Sequence, residues 1–275
     1  MPIAELPARG VVAVSGPDAR PFLQGLVSND VARVGASETA VWAALLTPQG
    51  KWLADFFLLA DGERILLECE RAQAAWLASH LARYRLRAKV DVADESDRWT
   101  VFAAWRDGAP VGLAARDPRL PEAGWRCLAS PGALRPDATA EDYDHHRLAL
   151  GLPEGSRDLE SGRTVLLEAG FDELNGISWT KGCWMGQELT ARTKYRGLVK
   201  KRLVPVRVEG PLPAPGTPVL RDGAEVGTIR SGREDRALAF LRLDALAGPE
   251  PLMCGEARLR PAIPAWMRLP AESPA

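Results

Sequence analysis

The chain has 275 residues, with 35 basic and 36 acidic side chains and 46% hydrophobic residues. That length suits about two domains with a substantial buried core, and a net charge near zero removes any global pull toward nucleic acid or membrane. No stretch reaches the ~20 apolar residues of a membrane span. The N-terminus lacks both a signal-peptide core and the Arg/Ser-rich bias of a transit peptide, so a cytoplasmic protein is expected. Cys69, Cys127, Cys183 and Cys254 are scattered without paired spacing, and the histidines are few, which argues against a disulfide framework or a metal site.

Residues 18–27 read as a helix: Asp18 is a suitable N-cap, and Phe22, Leu23, Leu26 and Val27 share one apolar face. Residues 41–47 and 52–60 flank Pro48-Gln49-Gly50 as a β-hairpin, and Asp61-Gly62 turns the chain into a third strand at 64–68. A second helix is expected over 71–87, where Ala75, Leu77, Leu81 and Tyr84 recur near helical period, with strands at 89–92 and 99–105 after it. This order of helix, strand and antiparallel hairpin marks an α+β fold. Residues 107–138 carry Gly, Pro and short apolar runs and read as loops around weak strands. Thr139-Ala140-Glu141-Asp142 opens like a capping box for a helix through Leu150, closed by Gly151 and Pro153. Residues 156–180 look irregular. After a strand at 203–208, Pro211, Pro213, Pro215 and Pro218 mark a boundary or long turn, and short strands from Val219 onward suggest a small barrel ahead of a Pro-rich tail.

The densest chemistry lies at 181–197. Cys183 stands between Gly182 and Gly186, with Lys181 two residues before it. A neighbouring ammonium favours thiolate over thiol, which is how proteins make a cysteine reactive, and the glycines permit a tight loop. Cys183 and Lys181 are therefore the candidate catalytic pair. Gln187-Glu188 follows, then Arg192, Lys194 and Arg196 on every second residue, continued by Lys200, Lys201 and Arg202. Plain readings stand beside these. Free cysteines are commonly small buried hydrophobes, Glu188 has the spacing to pair with Arg192 on a helix, and alternating cations are commonly the solvated face of a strand.

Lys181-Gly182-Cys183-Trp184-Met185-Gly186-Gln187-Glu188 resembles the Lys-Gly-Cys-(aromatic)-x-Gly-Gln-Glu signature of the YgfZ-type folate-binding proteins, relatives of the glycine-cleavage aminomethyltransferase that assist iron–sulfur proteins. Gly151-Leu152-Pro153-Glu154-Gly155, Leu167-Glu168, Leu174-Asn175-Gly176-Ile177-Ser178 and Leu189-Thr190-Ala191-Arg192-Thr193 are similar to the mitochondrial-type iron–sulfur assembly branch in particular. The run from Phe22 to Asp30 and Thr47-Pro48-Gln49-Gly50-Lys51 resemble the start of the same family, and Val226-Gly227-Thr228 with Ala237-Leu238-Ala239 its terminal barrel. The resemblance covers nearly the whole chain, weakly at 91–140.

The resemblance implies an aminomethyltransferase-like folate-binding domain over 1–205, with antiparallel sheets and packed helices around a central cavity, followed by a C-terminal β-barrel over 206–275. It implies tetrahydrofolate or a derivative as cofactor. Gln187 and Glu188 would then face the pterin and Arg192 and Arg196 the glutamate tail, with Asp30 and Arg147 beside the pocket; for Arg147 an ordinary helix-surface position competes. The implied function is a tetrahydrofolate-binding accessory protein for synthesis or repair of 4Fe–4S enzymes, with Cys183 in redox or sulfur chemistry. Its partners would be iron–sulfur enzymes or assembly proteins, with no membrane and no direct nucleic-acid contact, and the protein would be a monomer. Two other readings stay open: a non-catalytic scaffold for iron–sulfur clients, and a folate-dependent one-carbon transferase acting on RNA, as in tRNA modification, or on a small molecule.

Overall fold

A computed structural model of the chain describes residues 1–106, 108–247 and 250–269, so the end of the Pro-rich tail lies outside the described residues. Strands β1 (Ile3–Glu5) and β2 (Arg9–Ser15) lead into helix α1 (Ala19–Gln24). The expected hairpin and third strand follow as β3 (Val41–Leu46), β4 (Trp52–Asp61) and β5 (Arg64–Glu70), then helix α2 (Arg71–Ala82). Next come β6 (Asp91–Asp94), β7 (Thr100–Ala104), β8 (Leu113–Arg116) and β9 (Trp125–Ala129). Helix α3 (Ala140–Leu150) and the single turn α4 (Gly155–Asp158) precede helix α5 (Gln187–Tyr195). The described chain closes with β10 (Lys201–Glu209), β11 (Pro218–Arg221), β12 (Ala224–Arg233), β13 (Arg236–Arg242), β14 (Leu252–Cys254) and β15 (Ala257–Pro261).

These strands form a five-stranded sheet in the order β3-β4-β5-β2-β6, a four-stranded sheet β1-β7-β9-β8, and a closed barrel β10-β13-β12-β11-β14-β15. The five-stranded sheet is covered on both faces. One face packs Val12, Phe56 and Leu67 against Leu23 and Val27 at the α1 end and Leu77 and Leu81 of α2. The other turns Trp42, Trp52 and Phe57 toward Val101 and Leu128 of the four-stranded sheet and toward Phe171. A sheet buried on both faces has no need of apolar–polar alternation, which is why Val41 to Leu46 is apolar throughout and buried at every position.

The helix starting at Thr139 forms as the sequence predicts. The Asp142 backbone N–H donates to Thr139 Oγ1 at 3.1 Å, the Thr139 N–H donates to Asp142 Oδ2 at 2.9 Å, and Gly151 ends the helix in the left-handed region at φ +74°. Elsewhere the expectations shift. Helices α1 and α2 are shorter than the apolar periodicity suggests. β9, read as a weak strand at best, is buried along its length inside the four-stranded sheet, its apolar pattern disguised by the inward-facing Arg126. The first barrel strand begins at Lys201, so the expected boundary at 205/206 falls inside β10.

Arg147 requires a correction. It was expected beside a ligand cavity, yet it is only 1% exposed and its guanidinium is engaged inside the protein. Nε donates to Asp144 at 2.7 Å, Nη1 to the Leu152 carbonyl at 3.1 Å and Asp158 at 2.9 Å, and Nη2 to Ser231 Oγ at 2.8 Å. Glu154 lies 3.1 Å from Nε. Because Ser231 belongs to β12, this one side chain joins α3, the loop behind it and the barrel. Burial alone would raise the carboxyl pKa values, but Arg147 with Arg157 holds Asp144 down to about 2, and Arg147 with Arg9 holds Glu154 to about 2.

Removing one member of a buried charged cluster leaves the others uncompensated, at a cost of about 3–5 kcal/mol. Arg147→Met is therefore expected to lower unfolding free energy by about that amount near neutral pH. Carboxylates with depressed folded pKa values stabilise above their unfolded values, and that contribution is lost as pH falls toward 2. The gap between wild type and variant should close over that range in urea titrations. A gap independent of pH would show that Arg147 acts through packing alone.

Candidate functional site

The family-like motifs, far apart in sequence, meet around residues 181–188. Ser28 Oγ donates to the Gly176 carbonyl at 2.7 Å and accepts from the Ala44 N–H at 2.8 Å. Asn29 Nδ2 bridges the carbonyls of Trp42 at 2.8 Å and Asn175 at 2.7 Å. The Met185 N–H donates to the Gly25 carbonyl at 3.1 Å. On the opposite side Gly186, at φ +81°, lies so close to the hairpin turn that a Cβ there would stand 2.7 Å from the Thr47 carbonyl and 3.0 Å from the Gly50 Cα. A Cβ on Gly50, at φ +80°, would in turn meet the Gly186 carbonyl at 2.7 Å. Both glycines are thus required by a backbone-on-backbone contact as well as by their conformation.

The tip of this clamped loop carries the thiol. Trp184 turns inward to the core while Cys183 is exposed; Cys69, Cys127 and Cys254 are all buried. Burial pushes the Cys69 thiol up to about 12 and that of Cys127 to about 11. Lys181 holds the base of the loop: its Nζ donates to the carbonyls of Val27 at 2.6 Å and Asn29 at 2.8 Å. Burial brings its pKa down from 10.5 to about 8, with Asp30 opposing the shift. The structure thus gives Lys181 a positioning role toward the loop carrying Asn29, where the sequence suggested a partner for the thiol. A neutral amine keeps two N–H donors, enough for both carbonyls.

Gly186 opens helix α5, so the alternating cations lie on a helix where a strand was the plain expectation. The helical repeat separates them. Thr190 and Thr193 turn inward, Lys194 pairs with Asp172 at 3.0 Å and lies 4.0 Å from the Trp179 ring centroid, and Arg192 and Arg196 face solvent. Glu188 is exposed and makes no ion pair with Arg192. Gln187 turns back, its Oε1 accepting the Trp184 N–H at 3.1 Å. Asp30 caps a turn, accepting from the Ala32 N–H at 3.1 Å and from Gln24 Nε2 at 2.9 Å.

Asp30, Arg147 and Gln187 are therefore engaged with structural partners, while Glu188, Arg192 and Arg196 lie exposed along α5. None of them lines any of four surface clefts of about 440 to 700 Å³. As a set they do not fit a folate. The space between the two sheets contains charges the sequence reading missed. Arg9 pairs with Glu68; Arg126 lies 3.6 Å from Glu68 and 3.5 Å from Asp117; Arg119 pairs with Asp117 at 2.7 Å. Arg119 also stands over the rings of Trp42 and Phe57, at 5.4 and 4.9 Å from their centroids, and Trp42 stacks on Phe171 at 3.9 Å. Asp55 accepts from the indoles of Trp42 at 3.0 Å and Trp52 at 3.2 Å, and burial raises its pKa. The signal for these residues was present as single charges inside apolar strands, such as Glu68 within Ile65-Leu66-Leu67-Glu68-Cys69. His145, Glu234 and Asp235 bring possible metal-ligand atoms within 4.8 Å of one another, but Asp235 is already paired with Arg207, and the group reads as surface charge.

Comparison with known proteins gives this geometry its context. Residues 200–269 match the family described as CAF17, C-terminal beta-barrel domain. The fold superposes on glycine cleavage system aminomethyltransferase T from Bartonella henselae with a TM-score of 0.73, covering 96% of this chain and 85% of that one at 14% identity. That likeness is one of fold alone: an aminomethyltransferase-like architecture with a terminal barrel. The mitochondrial iron–sulfur cluster assembly factor IBA57 of Mus musculus is 36% identical over 300 aligned positions, spanning 95% of this chain and 84% of the relative. Its Homo sapiens counterpart is 37% identical over the same spans. The chain belongs to the IBA57 family. The YgfZ signature remains a resemblance to a related group. The cytoplasmic expectation is corrected, because these IBA57 relatives are mitochondrial proteins; a missing transit-peptide bias was too weak a ground. Among the described residues no helix is long and apolar enough to cross a membrane.

Two outcomes follow from the geometry of the 181–186 loop. Iodoacetamide under native conditions should label one thiol per chain, at Cys183, by peptide mass mapping; early labelling of Cys69 or Cys127 would mean that the loop is not the accessible site. Between about pH 8 and 10.5 the unfolded chain retains the Lys181 proton that the folded chain has released, so the Lys181 contribution to stability rises with pH across that window, against the opposite contribution of the buried thiols of Cys69 and Cys127. Urea midpoints of wild type and Lys181→Met, compared over the same range, should differ in slope; equal slopes would rule out this titration.

Proposed function

We propose that this IBA57-family protein takes part in iron–sulfur cluster assembly through the thiol of Cys183, presented to a partner at the tip of the 181–186 loop. The observation that carries the reading is that Cys183 is the exposed one of the four cysteines and sits on a loop clamped from two sides. Iron–sulfur clusters are held by several thiolates, typically four. One accessible thiol per chain cannot supply that set, so the cluster is cargo shared with another assembly protein that brings the remaining ligands. Trp184 and Gly186 anchor the loop while Cys183 projects, which fixes the thiol in place before a partner arrives and limits the ordering cost of the encounter. Folate has no step in this reading, because Asp30, Arg147 and Gln187 are internally engaged and Glu188, Arg192 and Arg196 lie on an exposed helix face that lines none of the four clefts. Among the described residues no assembled site supports a one-carbon transfer on RNA or a small molecule.

The test is complementation of cells lacking their own IBA57-family factor, with aconitase activity as readout. The intact protein should restore activity, and Cys183→Ala, at equal abundance and equal thermal midpoint, should not. Equal rescue by both would remove the thiol from the mechanism.

A further inference from the structure

The outer face of α5 carries charges that the fold leaves unpaired, beside Tyr195, whose ring meets Trp179 edge-on at 6.2 Å. At 100° per residue, Glu188, Arg192, Tyr195 and Arg196 fall on one side of the helix, opposite the inward-facing Thr190 and Thr193. Tyr195 is 75% exposed, and Leu198, just past the helix end, is 47% exposed. Neither Arg192 nor Arg196 has an ion-pair partner among the described residues, whereas surface arginines such as Arg116, Arg207 and Arg260 do. The cation that the fold does need here, Lys194, is turned away and held by Asp172.

We infer that this face is a docking surface for an acidic segment of a partner protein. Charge complementarity selects the occupant. Two guanidinium groups one helical turn apart can each take a carboxylate in bidentate fashion, and an exposed tyrosine beside arginines is the composition of an interface hot spot. Nucleic acid is a poorer fit. Strong binding to a phosphate backbone draws on about six to ten neutralised phosphates, while this stripe offers two free arginines with Glu188 among them, on a chain of net charge −1. The helix is about 14 Å long and begins directly behind the Cys183 loop, so a partner seated along it reaches the thiol. The inference rests on the assembly reading for its biological setting, but the surface itself is argued from α5 alone.

The probe is a photo-crosslinker in the full-length chain, Tyr195→p-benzoylphenylalanine, with Leu220→p-benzoylphenylalanine on the barrel as control, in cells lacking their own factor. Irradiation should link Tyr195, and not position 220, to a protein segment rich in Asp and Glu. Combined Arg192→Glu and Arg196→Glu should cut the yield about tenfold, and Arg192→Gln with Arg196→Gln should cut it less, with thermal midpoints unchanged in both. Linkage to RNA, to a second copy of this chain or to a neutral or basic segment would overturn the proposal, as would a yield indifferent to charge reversal. Full aconitase rescue by the charge-reversed chain would also defeat the docking surface while leaving the assembly role standing. No rescue by the wild-type chain, with the crosslink behaving as described, would defeat the assembly role and leave the surface.

Discussion

A buried guanidinium with three carboxylates around it ties the two parts of this molecule together, helped by barrel arginines that pair across the same seam. Arg147 stands where α3, the turn at 152–158 and barrel strand β12 meet, and carboxylates from three positions close on it. Charges removed from water are costly unless paired and hydrogen-bonded, so the geometry tolerates little displacement of the barrel. Asp158 shows how this works: it accepts from Arg147, from the Glu154 N–H at 2.8 Å and from both the backbone and hydroxyl of Ser231. The barrel is thereby fixed to the domain by directional bonds, to which the apolar contacts of Leu203, Leu238 and Phe240 add area without setting an angle.

On the other side of the molecule the positioning of Cys183 depends on main-chain contacts. The loop after α1 and the hairpin turn at 47–51 offer backbone carbonyls or a bare glycine to the thiol loop, and the 174–178 segment in turn holds the loop after α1 through Asn29 and Ser28. This explains how motifs carrying few reactive side chains can belong together. Ser28, Asn29 and Lys181 use their polar groups on backbone, which orders a loop without occupying the space in front of its tip. The exposed thiol and the exposed face of α5 are adjacent products of one arrangement, since Gly186 ends the loop and starts the helix.

Much of the fold was legible because its elements carry local signals: the capping box at Thr139, the hairpin around Pro48-Gln49-Gly50, the short strands of the barrel. The failures have physical causes. Arg126 and Glu68 break apolar runs that are nonetheless fully buried, because each finds an opposite charge across the interior, and no local pattern reveals such a partner. Spacing by two at Arg192, Lys194 and Arg196 imitates a strand, whereas the bounding Gly186 and Gly197 and the inward Thr190 and Thr193 fit a helix. At the site, the sequence located the loop and its cysteine. It could not tell that Arg147 and Gln187 face inward to structural partners, since an arginine on a helix reads the same from either side.

The isolation of Cys183 has a chemical consequence of its own. An oxidised thiol is normally rescued by a second cysteine that attacks the sulfenic acid and releases water as a disulfide forms. Within this chain the other three cysteines are buried in strands, two of them with thiols held protonated well above neutrality. The resolving sulfur must then come from another molecule, so the same solitude that leaves the thiol free for a partner also makes its recovery from oxidation a bimolecular event.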